Sequence, residues 1–114
     1  MINEGVDVEP PEDSLYISNF TYPSTLEVGE QGVTRVFVAN ADVVPVSGAK
    51  VWVLASNGAK KSKVVPDLDP GEEARLNFYW TFSAAGTITW TTNLKLNNVL
   101  LDTDTGSTEI TAVP

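Results

Sequence analysis

Asp69-Pro70-Gly71-Glu72-Glu73-Ala74-Arg75-Leu76-Asn77-Phe78-Tyr79-Trp80-Thr81-Phe82 is a tight turn feeding an aromatic stretch. Proline at the second turn position and glycine at the third suit a type II turn. Beyond the turn, Ala74, Leu76, Phe78, Trp80 and Phe82 recur at every second residue. That period belongs to a strand with one face buried. These side chains are expected at the centre of the core, with Leu68 dropping into it just before the turn.

The same grammar extends along the chain in both directions. Leu15-Tyr16-Ile17-Ser18-Asn19-Phe20 reads as a first strand, with Leu15, Ile17 and Asn19 on one face and Tyr16, Ser18 and Phe20 on the other. Residues 33–40 follow, with Thr34, Val36, Val38 and Asn40 facing away from Val33, Arg35, Phe37 and Ala39. Both sets carry apolar residues, so the pattern leaves the buried face open. Residues 49–56 bury Ala49, Val51, Val53 and Ala55. Asn57-Gly58 is a hairpin signal of the type I′ kind, and residues 60–65 form the return strand. The lysines on it suit a sheet edge, where charge deters pairing with another molecule. Residues 86–96 turn Ile88, Trp90, Thr92 and Leu94 inward and pair with the aromatic strand as a hairpin. Asn97-Asn98 is a turn, 102–106 a polar loop and 108–113 the last strand. No stretch carries a helical period. About seven antiparallel strands in roughly a hundred residues predict an all-β, immunoglobulin-like β-sandwich over residues 14–114. Residues 1–13, acidic and interrupted by Pro10-Pro11, predict a flexible lead-in or linker.

Composition narrows the chemistry. The 114 residues contain no cysteine and no histidine, and the net charge is −8. Disulfides, thiol nucleophiles, cysteine-held metals and a Ser-His-Asp arrangement are excluded. The acidic field repels a phosphate backbone, so nucleic acid is not an expected partner. No apolar run approaches the ~20 residues of a membrane-spanning helix, and no membrane insertion is expected. The first residues lack the basic and apolar regions of a signal peptide. If the parent protein is exported, its signal lies outside this sequence, as expected for a piece of something longer.

Several short segments together resemble one family. Val36-Phe37-Val38-Ala39-Asn40 resembles a V-x-V-x-N strand, and Pro66-Asp67-Leu68-Asp69-Pro70-Gly71-Glu72 an L-x-P-G-E turn. Phe78-Tyr79-Trp80-Thr81 is similar to a strand ending in tryptophan, Gly86-Thr87-Ile88 to the strand after it, and 97–104 to a late acidic segment. The family is CARDB, the cell-adhesion-related domain of bacterial and archaeal surface proteins. The resemblance covers residues 14–113 and departs at Thr105-Gly106, where the family carries an Asn-Asn pair. It implies a non-catalytic, extracellular or cell-surface module, acting in adhesion, protein interaction or as a spacer. Its partners would be neighbouring domains of a longer chain, other surface proteins or glycans.

Candidate site residues are few. Asp102 and Asp104 alternate ahead of Gly106, as carboxylates do in a calcium loop, but a third oxygen ligand and a distal bidentate glutamate are missing. Asp67, Asp69 and Glu72 form a second acidic cluster, for which turn chemistry is the plainer reading. Trp52, Tyr79 and Phe37 lie opposite the expected core faces; if exposed, they suit stacking against sugar rings, and if covered, packing. Lys60, Lys61 and Lys63 are either edge protection or a basic patch. Asn19-Phe20-Thr21 is an N-glycosylation triplet. Two further readings remain beside the surface module: a carbohydrate-binding module using exposed aromatics, and an immunoglobulin-like subunit of a phage or virus particle. No cofactor other than calcium is suggested, and no pair of carboxylates marks an enzyme.

Overall fold

The computed structural model describes residues 15–113, and the expected lead-in at 1–13 lies outside them. The strands are β1 (Leu15–Thr21), β2 (Thr25–Glu27), β3 (Gln31–Asn40), β4 (Ala49–Ala55), β5 (Lys60–Val64), β6 (Glu73–Thr81), β7 (Gly86–Leu96) and β8 (Val99–Thr111). They form a β-sandwich of two sheets, β1-β3-β6 and β2-β8-β7-β4-β5. Every pairing is antiparallel except that of the short β2, which runs parallel to the end of β8.

The alternation along β6 buries Leu76, Phe78 and Trp80, and Phe82 follows them into the core. From the other sheet come Ala49, Val51, Val53 and Ala55 of β4 and Ile88, Trp90, Thr92 and Leu94 of β7. On β3 the buried set is Thr34, Val36, Val38 and Asn40, which settles the face that the sequence pattern left open. The Asp69–Glu72 turn is type II as expected: Gly71 has φ +83° and the Glu72 N–H donates to the Asp69 carbonyl at 3.0 Å. Leu68 is buried just before it.

The aromatic strand does not pair with residues 86–96. β6 lies beside β3, whereas β7 lies between β4 and β8 in the other sheet. The link around Ser83–Ala85 therefore carries the chain across the sandwich. In this arrangement the inner faces of β6 and β7 oppose each other instead of lying side by side. Trp80 and Trp90 meet with ring centroids 4.9 Å apart at 57°, and Phe82 meets Trp90 edge-on at 5.8 Å. A buried indole needs a partner for its N–H. Trp80 Nε1 donates to Thr34 Oγ1 at 3.0 Å and Trp90 Nε1 to Thr108 Oγ1 at 2.8 Å. The Thr108 hydroxyl in turn donates to the Pro23 carbonyl at 2.6 Å.

Three more expectations are corrected. Strict alternation puts Leu15 and Phe20 on opposite faces of the first strand, yet both are buried. A β-bulge between Ile17 and Asn19 inserts one residue and returns Phe20 to the core side. Residues 102–106 are not a loop: β8 runs unbroken through them for 13 residues. Asn57-Gly58 is not a type I′ turn. Gly58 alone has positive φ there, its N–H donates to the Ala55 carbonyl, and the Ala55 N–H donates to the Ala59 carbonyl. This is a three-residue loop closed by a glycine bulge. The two-residue turn with positive φ at both centres is Asn97-Asn98, at +53° and +65°, joining β7 to β8.

Thr108→Val preserves shape but strands the Trp90 N–H and the Pro23 carbonyl. We expect a loss of about 1–3 kcal/mol in denaturant unfolding, with Thr108→Ser close to wild type. Equal stability of the valine and serine variants would contradict the hydrogen-bonded role of this threonine.

Candidate functional site

The structure separates the candidate residues. Trp52 is half-buried on the outer face of β4, in the five-stranded sheet. Tyr79 is 48% exposed on the outer face of β6, in the three-stranded sheet, across from Val33. The two rings look away from opposite sides of the sandwich and cannot grip one ligand. Phe37 shares the outer face of Tyr79 but stands at the Arg75 register, four residues from Val33 along β3.

The lysines of β5 also divide. Lys61 and Lys63 pair across the ladder with Val53 and Val51, so their stems leave on the core side. The Lys61 ammonium donates to the Tyr79 carbonyl on the edge of the other sheet and lies 5.2 Å from the Trp80 ring centre. Lys63 Nζ lies 5.7 Å from the Phe78 ring. Both stems close the gap between the sheets while their charges reach water. Lys60 points outward, with Nζ 5.8 Å from the Trp52 ring.

Asp102 and Asp104 lie on a strand. Asp102 Oδ2 accepts the Ile17 N–H at 2.9 Å, the amide beside the β1 bulge, and its Oδ1 accepts the Thr103 N–H. Asp104 Oδ1 accepts the Thr105 N–H. Asp102 thus ties the edge of one sheet to the other. Glu72 Oε1 accepts the Asp69 N–H, so that cluster serves its turn. Asn19 is exposed beside the bulge, its Oδ1 accepting the Phe20 N–H.

Asn40, expected with Asp42 in the turn that ends β3 through side-chain bonds to the backbone, does more than that. Asn40 is buried; its amide donates to the Val44 and Leu68 carbonyls, and its Oδ1 accepts the Asp42 N–H. It clamps the exit of β3 to the proline-glycine turn. The residue that sequence reasoning passed over is Lys95, which stands directly opposite Lys50 across the β4–β7 ladder. Only the strand register brings these distant residues together. Lys50 Nζ lies 4.7 Å from the Trp52 ring. Shallow concavities of about 230 and 220 Å³ flank Trp52, and both include Lys95.

If Asp102 serves to anchor β1, Asp102→Ala leaves the Ile17 N–H unpaired and costs about 1–3 kcal/mol. Asp104→Ala stays within about 0.5 kcal/mol of wild type. Millimolar calcium leaves the melting temperature of wild type unchanged, because ligand binding to the folded state would raise it. A calcium-dependent rise abolished by either substitution would contradict this assignment.

Comparison of the sequence with known protein families and with curated proteins gives no match. Comparison of the fold does. The CARDB domain of a Pyrococcus furiosus protein, crystallised in complex with di-metal ions, is similar with a TM-score of 0.74 at 21% identity, over 88% of this chain and 93% of that one. The PKD domain of an M14-like peptidase from a Thermoplasmatales archaeon gives 0.66 at 17% identity, over 87% of this chain and 97% of that one. A Paenibacillus cycloisomaltooligosaccharide glucanotransferase gives 0.66 at 15% identity, over 85% of this chain but 14% of that one. The sequence resemblance and the structural likeness agree, and the chain has the immunoglobulin-like fold of a CARDB domain.

Proposed function

We propose that this is a non-catalytic module of a bacterial or archaeal cell-surface or secreted protein, holding its neighbours apart or presenting a face to them. The observation that carries this reading is the placement of the strand ends. Leu15 lies beside Asn40, at the pole where Asn97-Asn98 turns. Thr111 lies beside Glu27, at the pole where the Val28 N–H donates to the Thr111 carbonyl and the Gly29 N–H to the Phe82 carbonyl. The chain enters at one pole and leaves at the other, as a module strung in series requires.

Other features support it. The interior is filled by side chains, with Trp90, Val51, Val53 and Leu94 fully buried. The concavity that includes Tyr22, Leu26 and Arg35 contains Glu30, whose Oε1 already accepts the Glu27 N–H. We read Asp102 and Asp104 as parts of the strand pairing. One carboxylate is committed to β1, and among the described residues no three acidic groups converge to hold a metal ion. Assembly into a particle through strand edges is disfavoured by the edges themselves. β1 is bulged, β2 has three residues, β5 carries Lys60, Lys61 and Lys63, and the β6 edge is capped by Lys61 at Tyr79.

Two copies joined from Val113 to Leu15 by a short linker test the stringing geometry. β8 is 13 residues long, so small-angle scattering should show a second copy adding about 40 Å to the maximum dimension, at roughly 3.4 Å per residue. A tandem no longer than one copy would contradict the series arrangement.

A further inference from the structure

Every lysine of the chain, Lys50, Lys60, Lys61, Lys63 and Lys95, belongs to the five-stranded sheet; both arginines, Arg35 and Arg75, belong to the other. On the outer face of the five-stranded sheet the register builds a grid. One row reads Val64, Lys50, Lys95, Leu100; the next Ser62, Trp52, Asn93, Thr103; the next Lys60, Leu54, Thr91, Thr105. Lys50 and Lys95 are direct cross-strand partners. Like charges so placed destabilise a sheet. Among the described residues, the first carboxylate on this part of the face is Glu109, at the Thr87 register. That is four residues along β7 from the Lys60 row, about 13 Å at roughly 3.3 Å per residue, beyond a Debye length of about 8 Å at physiological salt. Trp52 takes up part of that cost, with Lys50 and Lys60 both within cation–π range of its ring, but among the described residues Lys95 has no such contact. Functional sites are where local rules of this kind are expected to be broken.

We propose that this face binds a carboxylate-bearing polysaccharide, a polymer of uronic acids. Lys50 and Lys95 would take one carboxylate between them. Lys60, four residues along the strands, would take another. Trp52 stands midway, half-buried, with a concavity on either side. As the lysines swing to the carboxylates they uncover the indole for the apolar face of a sugar ring. Asn93 and Thr91 next to it supply amide and hydroxyl partners for sugar hydroxyls. An acidic peptide would satisfy the charge but leave the indole and its hydroxyl-rich flank unmatched. The charge balance suits the same ligand: a net −8 chain repels polyanions except where its lysines are gathered.

The proposal deepens the surface-module reading and rests on it for where such a polymer would be met. The test is independent of the stringing geometry, so its failure would not touch that reading. Polygalacturonate, dextran and polyglutamate are titrated against the whole chain, following tryptophan fluorescence and calorimetric heat. Polygalacturonate should bind with an affinity that falls several-fold between low salt and about 0.5 M salt, as screening of exposed charges requires. Dextran should not bind, and polyglutamate should bind more weakly with little change in fluorescence. Lys95→Gln should lower affinity at least about tenfold while raising the melting temperature, because it relieves the opposed charges. Trp52→Ala should abolish the fluorescence change, and Tyr79→Ala should leave binding intact. No binding of polygalacturonate, equal binding of polyglutamate, or a Lys95→Gln variant that binds as well as wild type would each overturn the proposal.

Discussion

The contact of Trp80 with Trp90 is the constraint on which the rest of the sandwich depends. Each sheet contributes one indole, and each indole N–H is held by a threonine within the core, Thr34 or Thr108. Rings of this size bury 150–250 Å² each, which matters in a small domain without a disulfide. The contact requires the crossing at Ser83–Ala85, which puts β6 beside β3 in one sheet and β7 in the other. Through Thr108 and Pro23 it also fixes where the chain passes from β1 towards β2. Gly106, opposite Trp90 on β8, leaves space that the Tyr22 ring fills; a Cβ there would meet it at 2.3 Å.

The two open flanks of the sandwich are closed by polar links between the sheets. On one flank Asp102 accepts the Ile17 amide beside the β1 bulge. On the other Lys61 reaches the Tyr79 carbonyl, and Lys63 lies over Phe78. Side chains that resembled ligands in the sequence thus serve the edges. On the outer face around Trp52, Lys50 and Lys95 oppose each other across the ladder, a pairing of like charges that costs stability locally.

Much of the fold was legible because burial imposes a period of two. Ala49 to Ala55, Leu76 to Phe82 and Ile88 to Leu94 alternate cleanly, and their inner faces are those expected. Alternation says which face is buried, not which strand lies beside it, so the pairing of β6 with β3 was hidden. It also fails where an extra residue enters, as at the Ser18 bulge, and where no sheet lies opposite. β8 reads as a loop at Asp102-Thr103-Asp104 because the three-stranded sheet leaves Asp104 exposed, and exposed strand positions need no apolar residue. Trp52 was visible as an aromatic off the core face. Its companion Lys95 was not, because 45 positions in sequence separate Lys50 from Lys95 and only the register joins them.

Hydrogen exchange at the indole N–H groups tests the central claim most directly. The chain has three tryptophans and therefore three indole signals. The indoles of Trp80 and Trp90, hydrogen-bonded inside the core, should exchange only through opening of the whole domain. Trp52, at the surface, should exchange at nearly the rate of a free indole. Rapid exchange at either Trp80 or Trp90 under native conditions would contradict an interior organised around the pair.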